Sequence, residues 1–162
     1  MKSGTFGPYG GRVSTTTARS PATGGVRAAV GEDWLSVQEH LDVVAHPQAG
    51  AVATFVGQVR DHDPQVTGRV VGLEYSAHPD AGAVLARIAE QYGSRDGVLG
   101  VAVSHRVGRL EVGEAALVAV VATAHRALAF EVCTELVETV KTELPVWKRE
   151  LLADGRAVWV GL

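Results

Sequence analysis

The sequence predicts an α+β domain in which antiparallel strands and amphipathic helices form separate layers. Three observations carry this. Short runs rich in Val, Ala and Leu have the length of strands, and three segments place apolar residues at helical spacing. The elements read β-α-β-β-α-β-β-α, and strands that follow one another directly argue for hairpins and against a doubly wound parallel sheet. No internal repeat and no second domain is visible in the 162 residues.

Residues 1–24 are rich in Gly, Ser and Thr and read as a flexible extension, although Phe6 and Tyr9 are able to dock. Residues 25–162 read as a single domain. A strand is expected at Val26–Val30, followed by a turn from Gly31 to Leu35. Ser36-Val37-Gln38-Glu39 matches a capping box, and Val37, Leu41 and Val44 form the stripe of a short helix that His46-Pro47 closes. Ala51–Val59 reads as a buried strand with a bulge or close approach at Gly57. A polar loop from Arg60 to Pro64 leads to a strand at Arg69–Ser76, expected to pair with Ala51–Val59 as a hairpin. Asp80 is placed to cap a helix over Ala81–Tyr92, with Val84, Leu85, Ile88 and Ala89 facing inward. Val98–Val107 and Ala115–Thr123 read as strands joined by a turn at Gly108–Gly113. The longest helix is expected from Arg126 to Glu143, with Ala129, Val132, Cys133, Leu136 and Val140 on its core face. Pro145 ends it, because its ring clashes with the preceding turn and it has no N–H to donate. Val158–Val160 reads as a last edge strand.

Composition excludes several functions. The apolar fraction is 46% and the net charge −3, so no global basic field points to nucleic acid or a membrane surface. No apolar run approaches the ~20 residues of a membrane-spanning helix, and the N-terminus lacks the apolar core of a secretory signal. The single cysteine, Cys133, excludes a disulfide framework, fits a reducing cytoplasmic setting, and reads as a small core hydrophobe. Asp61-His62-Asp63 has no partner cluster at metal spacing, and neither a phosphate loop nor a dinucleotide fingerprint is present. No metal and no cofactor is expected.

The candidate chemistry is cationic. Lys141 and Lys148 flank the Pro145 break with Trp147 between them, so two amines can approach one cavity from different directions. Lys141 borders the apolar face of its helix. There it is either partly desolvated beside a second cation, with a usable free amine, or paired with Glu138 on the surface. Lys148-Arg149 reads equally as a basic tip. Of two His-Arg pairs, His105-Arg106 lies near a strand end before Gly108, and His125-Arg126 follows the strand Ala115–Thr123. The second is better placed, at a helix start whose N–H groups favour an anion. Arg60 ends a strand and opens a loop, a frequent position for a ligand contact.

In order along the chain stand Phe55-Val56-Gly57-Gln58-Val59-Arg60-Asp61-His62, Leu73-Glu74-Tyr75, His105-Arg106-Val107-Gly108, Gly113-Glu114, Ala124-His125-Arg126 with Ala129-Phe130-Glu131, and Lys141-Thr142-x-x-Pro145-x-Trp147-Lys148-Arg149-Glu150. This ordered set, from about Val30 to Trp159, resembles the large, catalytic subunit of molybdopterin synthase. The resemblance implies an α/β hammerhead-type core with an additional antiparallel β subdomain. It implies a sulfurtransferase of molybdenum cofactor biosynthesis. Sulfur passes from the thiocarboxylated C-terminus of a small ubiquitin-like carrier subunit to cyclic pyranopterin monophosphate, forming the molybdopterin dithiolene. It implies a homodimer within a heterotetramer. The residues expected at the substrate are Gln58, Val59, Arg60, His125, Arg126, Lys141, Lys148, Arg149 and Glu150, with Lys141 and Lys148 catalytic. Because the sulfur comes from the carrier, no catalytic cysteine is needed. Two departures stand out: the long N-terminal extension, and an end at Leu162 where relatives commonly continue with a charged tail. Two other readings fit the same residues, a lysine Schiff-base enzyme acting on a phosphorylated carbonyl compound and a non-catalytic module that binds the tail of a ubiquitin-like carrier.

Overall fold

The computed structural model describes residues 24–160. The expected extension therefore lies outside the described residues except for Gly24, whose N–H donates to the Ala45 carbonyl at 3.2 Å. The elements are β1 (Val26–Gly31), α1 (Val37–Val44), β2 (Ala51–Gln58), β3 (Val70–Ala77), α2 (Ala81–Gly93), β4 (Val98–Arg106), β5 (Gly108–Glu111), β6 (Ala115–Thr123), α3 (Arg126–Glu143), β7 (Val146–Leu152) and β8 (Ala157–Val160). They form two four-stranded sheets, in the orders β1-β4-β6-β2 and β5-β3-β7-β8. Among the described residues only the β1–β4 pair is parallel. The α+β class is as expected.

The first sheet is covered on both faces. Helices α2 and α3 bury Leu85, Ile88, Val132, Leu136 and Val140 against Val101, Val103 and Val121. On the other side, α1 brings Val44 against Ala102, Val118, Val120 and Ala122. Strands β4 and β6 are therefore buried on both sides, which is why they read as continuous apolar runs and not as alternating ones. Burying such a Val or Leu side chain stabilises the fold by about 1.5–3 kcal/mol.

The helix starts follow local chemistry in part. Ser36 Oγ accepts from Glu39 N at 3.2 Å, half of the expected capping box. Asp80 sits at the start of α2, but its side chain makes no capping bond and lies 3.5 Å from His78 Nδ1.

Three expectations need correction. Strand β2 does not pair with β3: it lies against β6, with Ala51 opposite Thr123, while β3 belongs to the second sheet between β5 and β7. The intervening residues 59–69 are too many for a tight hairpin and carry the chain from one sheet to the other. Gly108–Gly113 is not simply a turn. Its first four residues form β5, and Leu110, fully buried, faces Leu73 across the ladder. The positive φ of Gly108, 81°, lets the chain pass from β4 in one sheet to β5 in the other with one residue between them. Finally, the segment after Pro145 is a strand, β7, where the sequence suggested a basic tip. The expected irregularity at Gly57 is present as a register shift between Gly57 and Gln58.

Candidate active site

A cleft of about 420 Å³ opens where the two sheets meet. Strand β2 contributes Phe55 and Gln58, the following loop Arg60, β3 Tyr75, β4 His105, and the end of α3 Lys141. Chain order explains the convergence. Strand β2 ends at its bulge beside the start of β6, and α3 runs back over the sheet so that its last turn returns to the same end. Pro145 then sends the chain into β7. A second, more open cleft of about 630 Å³ lies on the far side of this turn, lined by Glu138, Thr142, Leu144, Pro145 and Trp147. Lys141 and Val146 line both clefts.

Side chains alternate along β7. Val146, Lys148 and Glu150 share one face, and Trp147 and Arg149 the other. Lys148 is nearly buried. Its Nζ lies 3.1 Å from Asp63 Oδ2 and 3.5 Å from Glu150 Oε1, with both carboxylates only 4% exposed. Asp63 also accepts from Gln65 N at 2.9 Å and lies 3.9 Å from Arg60 Nη2. One buried carboxylate thus faces both the cleft arginine and the buried lysine. The Gln65 N–H, seconded by Lys148, holds the Asp63 carboxyl below its ordinary value of 3.8 against the effect of burial. Burial, reinforced by Asp63, pushes Glu150 upward, and Lys148 opposes this.

Burial and then the Glu150 charge push the Tyr75 phenol up to about 12, so it remains a hydrogen-bond donor at ordinary pH. Its ring stands edge-on to His105 with centroids 4.9 Å apart. Burial pushes His105 below its ordinary value, so the ring is neutral near pH 7. Its Nδ1–H donates to the Arg106 carbonyl at 2.9 Å, which leaves Nε2 as an acceptor.

The sequence-derived residues divide into four groups. Gln58, Arg60 and Lys141 line the cleft, with Lys148 and Glu150 in the buried ion cluster joined to it through Asp63. Lys141 is exposed, and of the two alternatives for it neither partial desolvation nor an ion pair with Glu138 is present among the described residues. Val59 is buried with Leu73, Leu110 and Ala116, and it serves the wall through its backbone bonds to Gly113 and Glu114. Arg149 points to the other face of β7, pairing with Glu74 and stacking over Trp159 at 5.5 Å. His125 and Arg126 lie apart. They are exposed at the start of α3, and about 22 Å of helical rise separates Arg126 from Lys141. The ranking of the two His-Arg pairs is thus reversed within one chain, since His105 lines the cleft. Arg106 does not, being held by Glu114 at 3.1 Å and by the Glu32 carbonyl at 3.2 Å.

Sequence reasoning missed Asp63 and Tyr75. Asp63 was weighed only as a metal ligand, and Tyr75 only as part of a motif. Assigning β7 as a strand paired with β3 would have revealed Tyr75, because the register sets it opposite Lys148, whereas Asp63 lies in a loop outside that ladder. Replacement of Asp63 by Asn leaves Lys148 with one carboxylate and is expected to cost about 1–3 kcal/mol in urea unfolding at pH 7. The sign with pH follows from the lowered carboxyl. The stability it contributes is present above pH 3.8 and is lost as the pH falls through its lower folded value. The Asn variant should therefore lose less stability than the native chain between pH 5 and pH 2, as measured by the same unfolding curves.

Two sheets meeting over a cleft lined by Lys141 and Arg60 define an α+β protein whose cleft chemistry suits an anion. Comparison with known proteins sharpens the class. The family model described as MoaE protein matches residues 30–143. The molybdopterin synthase catalytic subunit of Halalkalibacterium halodurans is 39% identical over 136 residues, covering 83% of this chain and 85% of its own. Molybdopterin synthase catalytic subunit 1 of Mycobacterium tuberculosis is 40% identical over 129 residues, covering 78% and 85%. The crystal structure of molybdopterin synthase from Staphylococcus aureus superposes with a TM-score of 0.74 at 27% identity, covering 82% of this chain and 96% of that one. The chain belongs to the MoaE family of molybdopterin synthase catalytic subunits.

Proposed function

We propose that this chain is the catalytic subunit of a cytoplasmic molybdopterin synthase, moving sulfur from a carrier's C-terminal thiocarboxylate to cyclic pyranopterin monophosphate. The observation that carries the reading is the position of Lys141 on the wall common to two clefts. A group transfer needs two substrates to meet at one reactive group. The cleft between the sheets suits the pterin: Arg60 is available for its phosphate, and Tyr75, His105 and Gln58 offer donors and acceptors for its ring. The open cleft beside Pro145 suits an extended peptide tail, and Trp147, 51% exposed, provides apolar surface for it.

In each transfer, the thiocarboxylate sulfur bonds to a carbon of the pterin side chain and that carbon loses its oxygen. Lys141 supplies the proton with which the oxygen departs, as water in one transfer and on the phosphate in the other, where the cyclic ester opens. Water then attacks the thioester, the C–S bond to the carrier breaks, and the carrier departs as a carboxylate with sulfur left on the pterin. Lys148 balances the oxyanion that develops at the carrier carbonyl, aided by the buried cluster that fixes its position. A second round completes the dithiolene.

His125 and Arg126 cannot reach this cleft from their own chain, so in this reading they serve the cleft of a second copy. The chain then works as a homodimer with one small carrier subunit bound to each copy. The reading is tested by incubating the chain with cyclic pyranopterin monophosphate and thiocarboxylated carrier. Dithiolene formation is expected, and its absence despite carrier binding would overturn the reading.

A further inference from the structure

Sulfur transfer leaves one proton without a destination. The water that attacks the thioester between carrier and pterin must lose a proton as its oxygen bonds to the carbonyl carbon. Arg60 carries a guanidinium, which stays protonated. Lys141 is exposed, so after giving up its proton it takes another from solvent. The Tyr75 phenol, pushed up to about 12, keeps its proton. Asp63 and Glu150 are committed to Lys148 in the buried cluster. Among the described residues that line the cleft, this leaves His105 as the one neutral side chain with a basic nitrogen.

The ring is held in a form that suits this step. His105 is 6% exposed and stands opposite Leu117 of β6, which also lines the cleft, so both side chains lie on the cleft face of the first sheet. Nδ1, near the backbone, is occupied by the Arg106 carbonyl at 2.9 Å, which leaves Nε2 at the outer end of the ring as the acceptor. Nε2 takes no hydrogen bond among the described residues, yet it is not sealed, since Arg149 Nε is the one buried side-chain polar atom there without a partner. The Tyr75 ring holds the imidazole edge-on at 4.9 Å, and Tyr75 faces Lys148 across the β3–β7 ladder. The free nitrogen and the lysine that balances the carrier oxyanion are thus neighbours of the same aromatic residue.

We propose that His105 is the general base for the second half of each transfer, taking a proton from the water that hydrolyses the thioester. The proposal rests on the proposed function and deepens it. As the water oxygen bonds to the thioester carbon, one water proton passes to Nε2. The tetrahedral centre then collapses and the carbon–sulfur bond to the carrier breaks. Its electron pair goes to the sulfur that stays on the pterin, and His105 returns its proton to that sulfur. The carrier leaves with a carboxyl group, which gives its proton to solvent. His105 is neutral again for the second transfer, and burial, which disfavours the imidazolium, drives the proton onward. Gln58 and Tyr75 remain for the pterin ring.

The test is a single turnover of the full chain with thiocarboxylated carrier and cyclic pyranopterin monophosphate, quenched in acid and read by the intact mass of the carrier. In His105→Gln the carrier–pterin thioester should accumulate, with its breakdown slowed by about 10²–10⁴-fold, the usual worth of a general base. A merely structural role would weaken formation and breakdown of the thioester alike. In the native chain, breakdown should be level near pH 7.5 and fall only below pH 6.5, where the ring gains a proton. Tyr75, Arg60 and Lys141 face His105 from the cleft, and Arg27, Asp33, Glu39 and His40 line a cavity of about 120 Å³ on its other side. Loss of the pH dependence in His105→Gln assigns it to His105 and not to these groups. Breakdown at the native rate in His105→Gln, or a native rate that stays level from pH 7.5 to pH 5, would overturn the proposal. The native pH profile needs no variant, so it decides the matter whether or not the buried site tolerates Gln. A native chain that binds carrier but forms neither thioester nor dithiolene would remove the proposed function and His105 with it. An active native chain with His105→Gln unaffected would remove the base alone.

Discussion

Replacing Lys141 with Ala lowers dithiolene formation by about 10²–10⁴-fold, the usual worth of a positioned general acid. The loss should fall on kcat, because the amine acts when oxygen leaves and not when the substrates bind. The side chain is exposed at the end of α3 and makes no ion pair or hydrogen bond among the described residues, so thermal unfolding should shift little. Lys141→Arg separates charge from proton transfer. Arginine keeps the positive charge but holds its proton far above neutral pH, so it should leave binding unchanged and still not restore the rate. A Lys141→Ala chain that turns over normally would remove the amine from the chemistry.

The second large effect concerns the two separated halves of the site. Arg126→Ala should weaken pterin use by about 10–100-fold, as expected for the loss of a charge-assisted contact worth ~1.5–3 kcal/mol. Neither Arg126→Ala nor Lys141→Ala alone should show appreciable activity at low substrate. Co-expressed in equal amounts, they should recover about one quarter of native activity if each cleft draws its lysine from one chain and its arginine from the other. Random pairing makes half of the dimers mixed, and each mixed dimer then has one intact cleft and one doubly damaged cleft. If both residues served the cleft of their own chain, every site in the mixture would carry a defect and no activity would return.

Local chemistry made much of this molecule legible in its sequence. The Ser36 cap, the α3 stripe, the Pro145 stop and the Gly57 irregularity are decided by near neighbours, and the structure has them where the sequence puts them. What the sequence hid is non-local. Nothing in residues 51–76 indicates that β2 and β3 belong to different sheets, because that choice depends on β6, more than forty residues further on. A Trp-Lys-Arg run is polar and reads as a solvated tip, yet its alternating faces set Lys148 against Asp63 and Glu150 and Arg149 against Glu74 and Trp159. Asp63 meets its lysine across 85 residues of chain, so its role could not be read from spacing. The His125-Arg126 pair stands at the expected helix start, and the expected length of that helix already separates it from Lys141 by about 22 Å.

The central claim is that sulfur passes from the carrier tail to the pterin on this chain. It is tested most directly by single-turnover transfer with a carrier whose thiocarboxylate sulfur is isotopically labelled, followed by mass analysis of the pterin product. The account predicts label in both dithiolene sulfurs, unlabelled carboxylate at the carrier terminus, and loss of both signals in Lys141→Ala. A dithiolene without label, or label left on the carrier while it is bound to the native chain, would contradict it.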